Sequence, residues 1–216
     1  MAAATKLVPP RPRADLADLD LRLHKLGALA HYRLTGAGYP SPLFWSRSGK
    51  YRFDSPAAKW GVCYAGDSVS SAFQEVYSDA IRKGTLDYNS VALDRVWKIT
   101  VPAAMRTIEL TGPTLTHIRA TLQCFTGRYS LSQEWGRALM LNKDDLDGLE
   151  YIGRRCGKPC LALFGDNAPN EKNPYQRSIA TKACGLMIEW HGFWPLMDQL
   201  RVDFTNLPAT RPRSTW

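Results

Sequence analysis

The sequence has no run approaching the ~18 consecutive apolar residues of a membrane span, and its opening "MAAATKLVPPRPR" lacks the ~7 to 15 residue apolar stretch of a secretory signal. Both absences point to a soluble chain, and the expected compartment is the cytoplasm. Cysteine is sparse: Cys63, Cys124, Cys156, Cys160 and Cys184 form an odd set without the paired CxxC spacing of a zinc site. Cys156 and Cys160 are four apart, yet no second close pair exists and the nearest histidine, His191, is remote. No metal site and no disulfide framework are expected. GxGxxG, Walker, HExxH, GxSxG and kinase signatures are also missing, which removes the common nucleotide-binding and hydrolase readings.

Acidic residues are absent from both ends. Residues 1–13 and 208–216 carry Lys6, Arg11, Arg13, Arg211 and Arg213, so the tails supply +5 of the formal +8 and the body only +3. A nucleic-acid partner is one reading of the overall pI of 9.4. A body this mildly basic fits a small anionic ligand as well, and because the tails carry most of the charge no direct nucleic-acid partner is expected. No linker, repeat or low-complexity tract divides the chain, so the expectation is one domain over 15–207 between flexible basic termini at 1–14 and 208–216.

What is present is ordinary globular material, 216 residues of which 44% are hydrophobic, enough for one full core. "DLADLDLRLHKLG", from Asp15 to Gly27, carries leucines that predict a helix with a glycine cap. "AHYRLTG" reads as a strand, followed by a long Gly, Pro and Ser-rich loop over 36–56, a length often found around sites. "VALDRVWKITVP" alternates as a strand does, helices are expected from about Pro113 to Phe125 and within "SLSQEWGRALMLNKDDLDG", and "LEYIG", "PCLALFG" and "GLMIEWHG" read as strands or short buried runs. Helices and strands mix without a repeating βα order, which makes the class α+β.

One stretch carries more than packing. "GVCYAGDSVSSAFQEVY", residues 61 to 77, reads as a strand turning into a helix, with Asp67 or Ser68 as N-cap. At about 100° per residue, Val69, Ala72, Phe73, Val76 and Ala80 share one apolar stripe and Glu75 points the opposite way. A solvated helix face would account for Glu75, and so would a functional carboxylate. Arginines and aromatics collect near glycines on either side of it.

The ordered set "YRFD", "WGVCYAGDSVSSAFQEVY", "YSLSQEWGRAL", "DGLEYIGRR" and "CLALFG", from about Arg33 to Phe164, resembles the RES domain, the toxin half of RES–Xre toxin–antitoxin modules. The family is named for an Arg, a Glu and a Ser. The resemblance puts the Arg at Arg33, the Glu at Glu75, and leaves Gly153 in the Ser slot, with Arg155 as the trailing arginine. A glycine offers only its backbone N–H and room where serine offers a hydroxyl. Either that amide takes over, or Ser130 or Ser132 serves the site, or activity is weakened.

The resemblance implies a fold similar to that of ADP-ribosyltransferases, and NAD+ as the substrate whose nicotinamide–ribose bond is broken by hydrolysis or phosphorolysis, with no further cofactor required. It also implies growth inhibition relieved by an Xre-type helix-turn-helix antitoxin, through which the toxin could oligomerise. ADP-ribosylation of a protein, or a degenerate domain that only binds NAD+ or its partner, are the alternatives. Cleaving that bond develops positive charge on the ribose, which a fixed carboxylate such as Glu75 stabilises. The anionic pyrophosphate calls for arginine forks, with Arg33 and Arg52 as the choices, and Tyr64, Tyr51 and Tyr129 are the aromatics that could wall the ring. Surface ion pairs for the arginines and a core place for Tyr64 are the competing roles.

Overall fold

The computed structural model describes residues 8–55, 60–142, 146–166, 174–210 and 215–216. In chain order the elements are β1 His24–Lys25, β2 Ala30–Thr35, β3 Gly61–Gly66, α1 Val69–Val76, α2 Ser78–Lys83, β4 Thr85–Asp87, α3 Tyr88–Ala92, β5 Arg95–Thr100 and β6 Arg106–Glu109. There follow α4 Gly112–His117, α5 Leu122–Thr126, α6 Tyr129–Asn142, β7 Gly148–Ile152, β8 Pro159–Gly165, β9 Ala180–Leu186, α7 Phe193–Leu200 and β10 Asp203–Thr205. Eight strands form one sheet in the order β1-β6-β7-β8-β3-β2-β5-β9, and β4 pairs with β10 in a small second sheet. Within the large sheet only β6 and β7 run parallel. The α+β class expected from the mixed order of elements is the class observed.

Period-two alternation decides what each face of this sheet carries. On β3 and β8, Val62, Tyr64, Cys160, Ala162 and Phe164 point to one face, where Phe53, Phe125, Trp135 and Leu149 complete a core. Leu34 of β2 and Val96 of β5 sit opposite each other on that same face and are covered by Ala72 and Phe73 of α1 and Phe193 of α7. The other face carries Cys63, Ala65, Leu161, Leu163 and Ile99, closed by Trp45 and Leu26. So α1 and the α5–α6 pair stand side by side on one face, leaving a trough between them. That trough is where the site lies.

Several expectations are corrected. The segment from Asp15 to Gly27 holds only a short 3-10 turn, Leu16–Asp18, and the brief β1. Leu19, Leu21 and Leu23 recur at every second position, so they serve an extended segment, and Leu21 is buried in the core. The helix expected over about 113–125 is two helices, interrupted where Arg119 takes a left-handed conformation with φ of 55°. "GLMIEWHG" starts as the end of β9 and turns into a 3-10 turn, Met187–Glu189. The termini described are docked. The Pro10 carbonyl accepts from Trp135 Nε1 at 3.0 Å, and the Trp216 carbonyl accepts from the His191 N–H at 2.8 Å while its ring lies against Gly185. Residues 1–7 and 211–214 lie outside the described residues.

Candidate functional site

The strand-to-helix unit that carries Glu75 is built as its sequence suggests. β3 ends at Gly66, where a side chain's first carbon would stand 2.8 Å from the Ala72 backbone nitrogen; the missing side chain lets α1 press directly on the strand end. Ser68, in extended conformation, caps the helix by accepting from the Ser71 N–H at 3.1 Å. The expected apolar stripe is shorter than a straight helix would make it. The chain breaks at Tyr77 between α1 and α2, so Val76 is 56% exposed while Ala72 and Phe73 remain buried. Val76 and Glu75 together reach the rim of the trough.

The trough is a narrow cleft lined among others by Tyr32, Arg33, Tyr64, Glu75, Tyr151 and Cys160. Glu75 is half-buried there. Its Oε1 accepts from two successive backbone N–H groups of the β7–β8 hairpin loop, Arg155 at 2.9 Å and Cys156 at 3.1 Å. Among the described residues Oε2 has no hydrogen-bond partner. One carboxylate oxygen is therefore an anchor and the other is on offer to the cleft.

Tyr64 forms the wall facing Glu75. Its hydroxyl donates to Asp54 Oδ1 at 3.1 Å and accepts from the Phe53 N–H at 2.9 Å, and burial next to that carboxylate pushes its pKa well above the ordinary range. It is a fixed, neutral ring. Tyr51 stands edge-on to it with centroids 6.0 Å apart and is half-exposed. Asp54, fully buried, also accepts from the Ser48 hydroxyl at 2.9 Å and the Tyr51 N–H at 3.3 Å, which holds the 46–54 loop against the sheet. Sequence reasoning passed over Asp54, and its short-range Ser-x-x-x-x-x-Asp spacing is an ordinary loop pattern.

The arginines and serines divide. Arg52 is buried; it donates to the Phe125 carbonyl and lies over the Tyr129 ring at 4.9 Å, so Arg52 and Tyr129 form a stacked pair outside the cleft lining. Arg33 contributes to the cleft wall, but its guanidinium donates to Cys63 Sγ, on the face of the sheet opposite Tyr64. The fork expected to point into the site with Glu75 is thus turned away by the strand's alternation. Ser132 is fully buried and its hydroxyl donates to the Cys124 and Arg128 carbonyls, which corrects its expected service to the site; Ser130 is exposed at the start of α6 and does not line the cleft. Arg155 reaches Glu75 through its backbone, and its guanidinium pairs with Asp79 of α2 at 3.6 Å.

Gly153 lies at the centre of what the sequence left open. A first side-chain carbon there would stand 2.7 Å from Glu75 Oε1, 2.5 Å from Cys156 Sγ and 2.8 Å from Cys160 Sγ. The two sulfurs are 3.7 Å apart. The Cys160 thiol, with its acidity reduced by its bond to Cys156 and by burial, keeps its proton, whereas the half-exposed Cys156 thiol is lowered because it accepts that bond. Neither cysteine was singled out from sequence for the site. The only signal was their spacing across a glycine-containing turn.

Among the described residues no helix is long and apolar enough to cross a membrane. A family model described as the RES domain matches residues 30–182. A search of the curated proteins gives no match. Among solved structures, the M. tuberculosis MbcT-MbcA toxin-antitoxin complex contains a chain that superposes with a TM-score of 0.56 at 17% identity, over 81% of this chain and 89% of that one. At that identity the likeness is one of fold.

Proposed function

We propose, because this chain belongs to the RES domain family, that it is the toxin of a toxin–antitoxin pair and destroys NAD+ by breaking its nicotinamide–ribose bond. The observation that carries the reading is the Glu75 carboxylate, fixed through Oε1 by two backbone N–H groups at the lip of an aromatic cleft with Oε2 unpartnered among the described residues. A carboxylate held this way does not have to reorganise when charge develops beside it, and a preorganised group is worth most in a cleft that excludes water. As nicotinamide leaves, its glycosidic electron pair goes with it and the ribose takes on positive charge. Oε2 faces that charge or orients the water or phosphate that attacks it. Tyr64, Tyr32 and Tyr151 supply flat surfaces for the ring and sugar.

The cleft takes the nicotinamide–ribose end. Neither expected arginine fork is presented to the cleft for the pyrophosphate, since the Arg33 guanidinium faces the opposite side of the sheet and Arg52 is buried, bonded to the Phe125 carbonyl outside the cleft lining. The partner is an antitoxin, a reading supported by the similarity to a chain from a toxin-antitoxin complex, and the family resemblance makes it one of the Xre helix-turn-helix kind.

The test is NAD+ loss with release of free nicotinamide by the purified protein, with and without phosphate, beside Glu75→Gln. Turnover reduced by about 100-fold or more in the variant is the expected result, the size typical for loss of one preorganised electrostatic group. Phosphate dependence names the acceptor. Label retained on a protein would move the reading to ADP-ribosyl transfer, and tight NAD+ binding without nicotinamide release would make the domain a binding module.

A further inference from the structure

Two cysteines four residues apart and a carboxylate some eighty residues earlier in the chain converge beneath the β7–β8 hairpin. Cys156 comes from the loop, Cys160 from the start of β8, and Glu75 from the last turn of α1; their ligand atoms all lie within 4.8 Å of one another. Two are soft sulfur donors and one a carboxylate, the mixture that suits a thiophilic divalent cation. The spacing of the sulfurs fits as it stands. Two thiolates at about 2.3 Å from a tetrahedral zinc ion lie about 3.8 Å apart, and here they lie 3.7 Å apart.

Gly153 makes the room. All three ligand atoms ring the place where its side chain would begin, at 2.5 to 2.8 Å, so any residue other than glycine would drive a carbon into the cup they form. Its backbone does not need glycine, because its φ lies outside the left-handed region. The glycine is explained by the space rather than by the turn.

We propose that Cys156 Sγ, Cys160 Sγ and the Glu75 carboxylate form a zinc-binding site, and that an ion held there switches the cleft off by taking the carboxylate. On binding, each thiol gives its proton to solvent, and a water molecule completes four-coordination. The ion meets the carboxylate through Oε1, and its double positive charge neutralises the carboxylate beside it, so Oε2 no longer stabilises positive charge on a ribose or orients an attacking group. The binding stands by itself; its effect on turnover rests on the role given to Glu75 above.

The test uses the full chain, reduced and stripped with chelator, titrated with Co2+. One equivalent is expected to produce thiolate-to-cobalt charge-transfer absorption with tetrahedral d–d bands, both abolished when one equivalent of Zn2+ displaces the cobalt. Cys156→Ser, which keeps the backbone N–H that holds Glu75, is expected to lose the charge-transfer band. Gly153→Ala, which retains every ligand, is expected to weaken binding at least 10-fold. Absence of the band in reduced wild type, or its persistence in Cys156→Ser, overturns the site.

On the same samples, equimolar Zn2+ is expected to stop NAD+ turnover by wild type and to leave Cys156→Ser active. Undiminished turnover by zinc-loaded wild type overturns the inhibitory role. Failure of the metal-free protein to consume NAD+ counts against the proposed function, while the cobalt spectrum still decides the site.

Discussion

His31 shows what a single residue contributes outside the cleft. It is buried on β2, and burial lowers its pKa; a hydrogen bond to the Leu29 backbone and then Glu150 and Asp67 pull the other way with smaller effect. A histidine whose folded pKa is depressed binds its proton more readily when unfolded. Its stabilising contribution is therefore complete above about pH 6.5, the ordinary value, and is lost as pH falls through the depressed folded value. Thermal melts of wild type and His31→Leu between pH 7.5 and pH 4.5 are expected to show a shallower loss of stability for the variant on the acid side. This pH response is not written in the local sequence, because the burial of position 31 depends on strands that join β2 from elsewhere.

At the scale of elements, α1 depends on its start. Ser68 offers one hydroxyl to the Ser71 N–H, and the helix is a little over two turns long, so it has few bonds to spare. Ser68→Ala is expected to cost about 1 kcal/mol in urea unfolding, and to lower NAD+ turnover as well, because a frayed α1 no longer presents Glu75 at a fixed height. This element was readable from its sequence, cap included, since its signals are all local. The Asp15–Gly27 segment was misread because its leucines satisfy a helical and an extended spacing at once, and the neighbouring core decided between them. Likewise Arg33 was correctly placed on a strand, yet its direction followed from a register with Trp97 that no local pattern contains.

At the scale of the molecule, one eight-stranded sheet links the two helix groups, and both described chain ends are docked onto it or its covering layer. Cores that share the same central strands are expected to unfold together, so circular dichroism and tryptophan fluorescence should give coincident thermal transitions. Trp216 tests how far this cooperativity reaches. Its ring packs on Gly185, and Trp216→Ala is expected to lower the whole transition, by about 2 kcal/mol, rather than to release a separate early step. No local pattern in the basic tail marks its tryptophan as a packed one. The class and the ordered series of motifs were legible, because composition and periodicity survive the loss of three-dimensional information, whereas convergence of Glu75, Cys156 and Cys160 does not.

The hairpin holds Glu75 through main-chain N–H groups, and that has a consequence for how the site responds to mutation. An alanine scan through Arg154, Arg155 and Cys156 leaves both amides in place, so the loop would score as dispensable for anchoring the acid. Proline is the substitution that deletes an amide hydrogen while adding little bulk. Arg155→Pro is expected to impair NAD+ consumption where Arg155→Ala does not, a contrast readable in one pair of rate measurements. Tolerance to side-chain change along this loop therefore says nothing of its importance; the chain path is what matters there, and only a residue that alters the path exposes it.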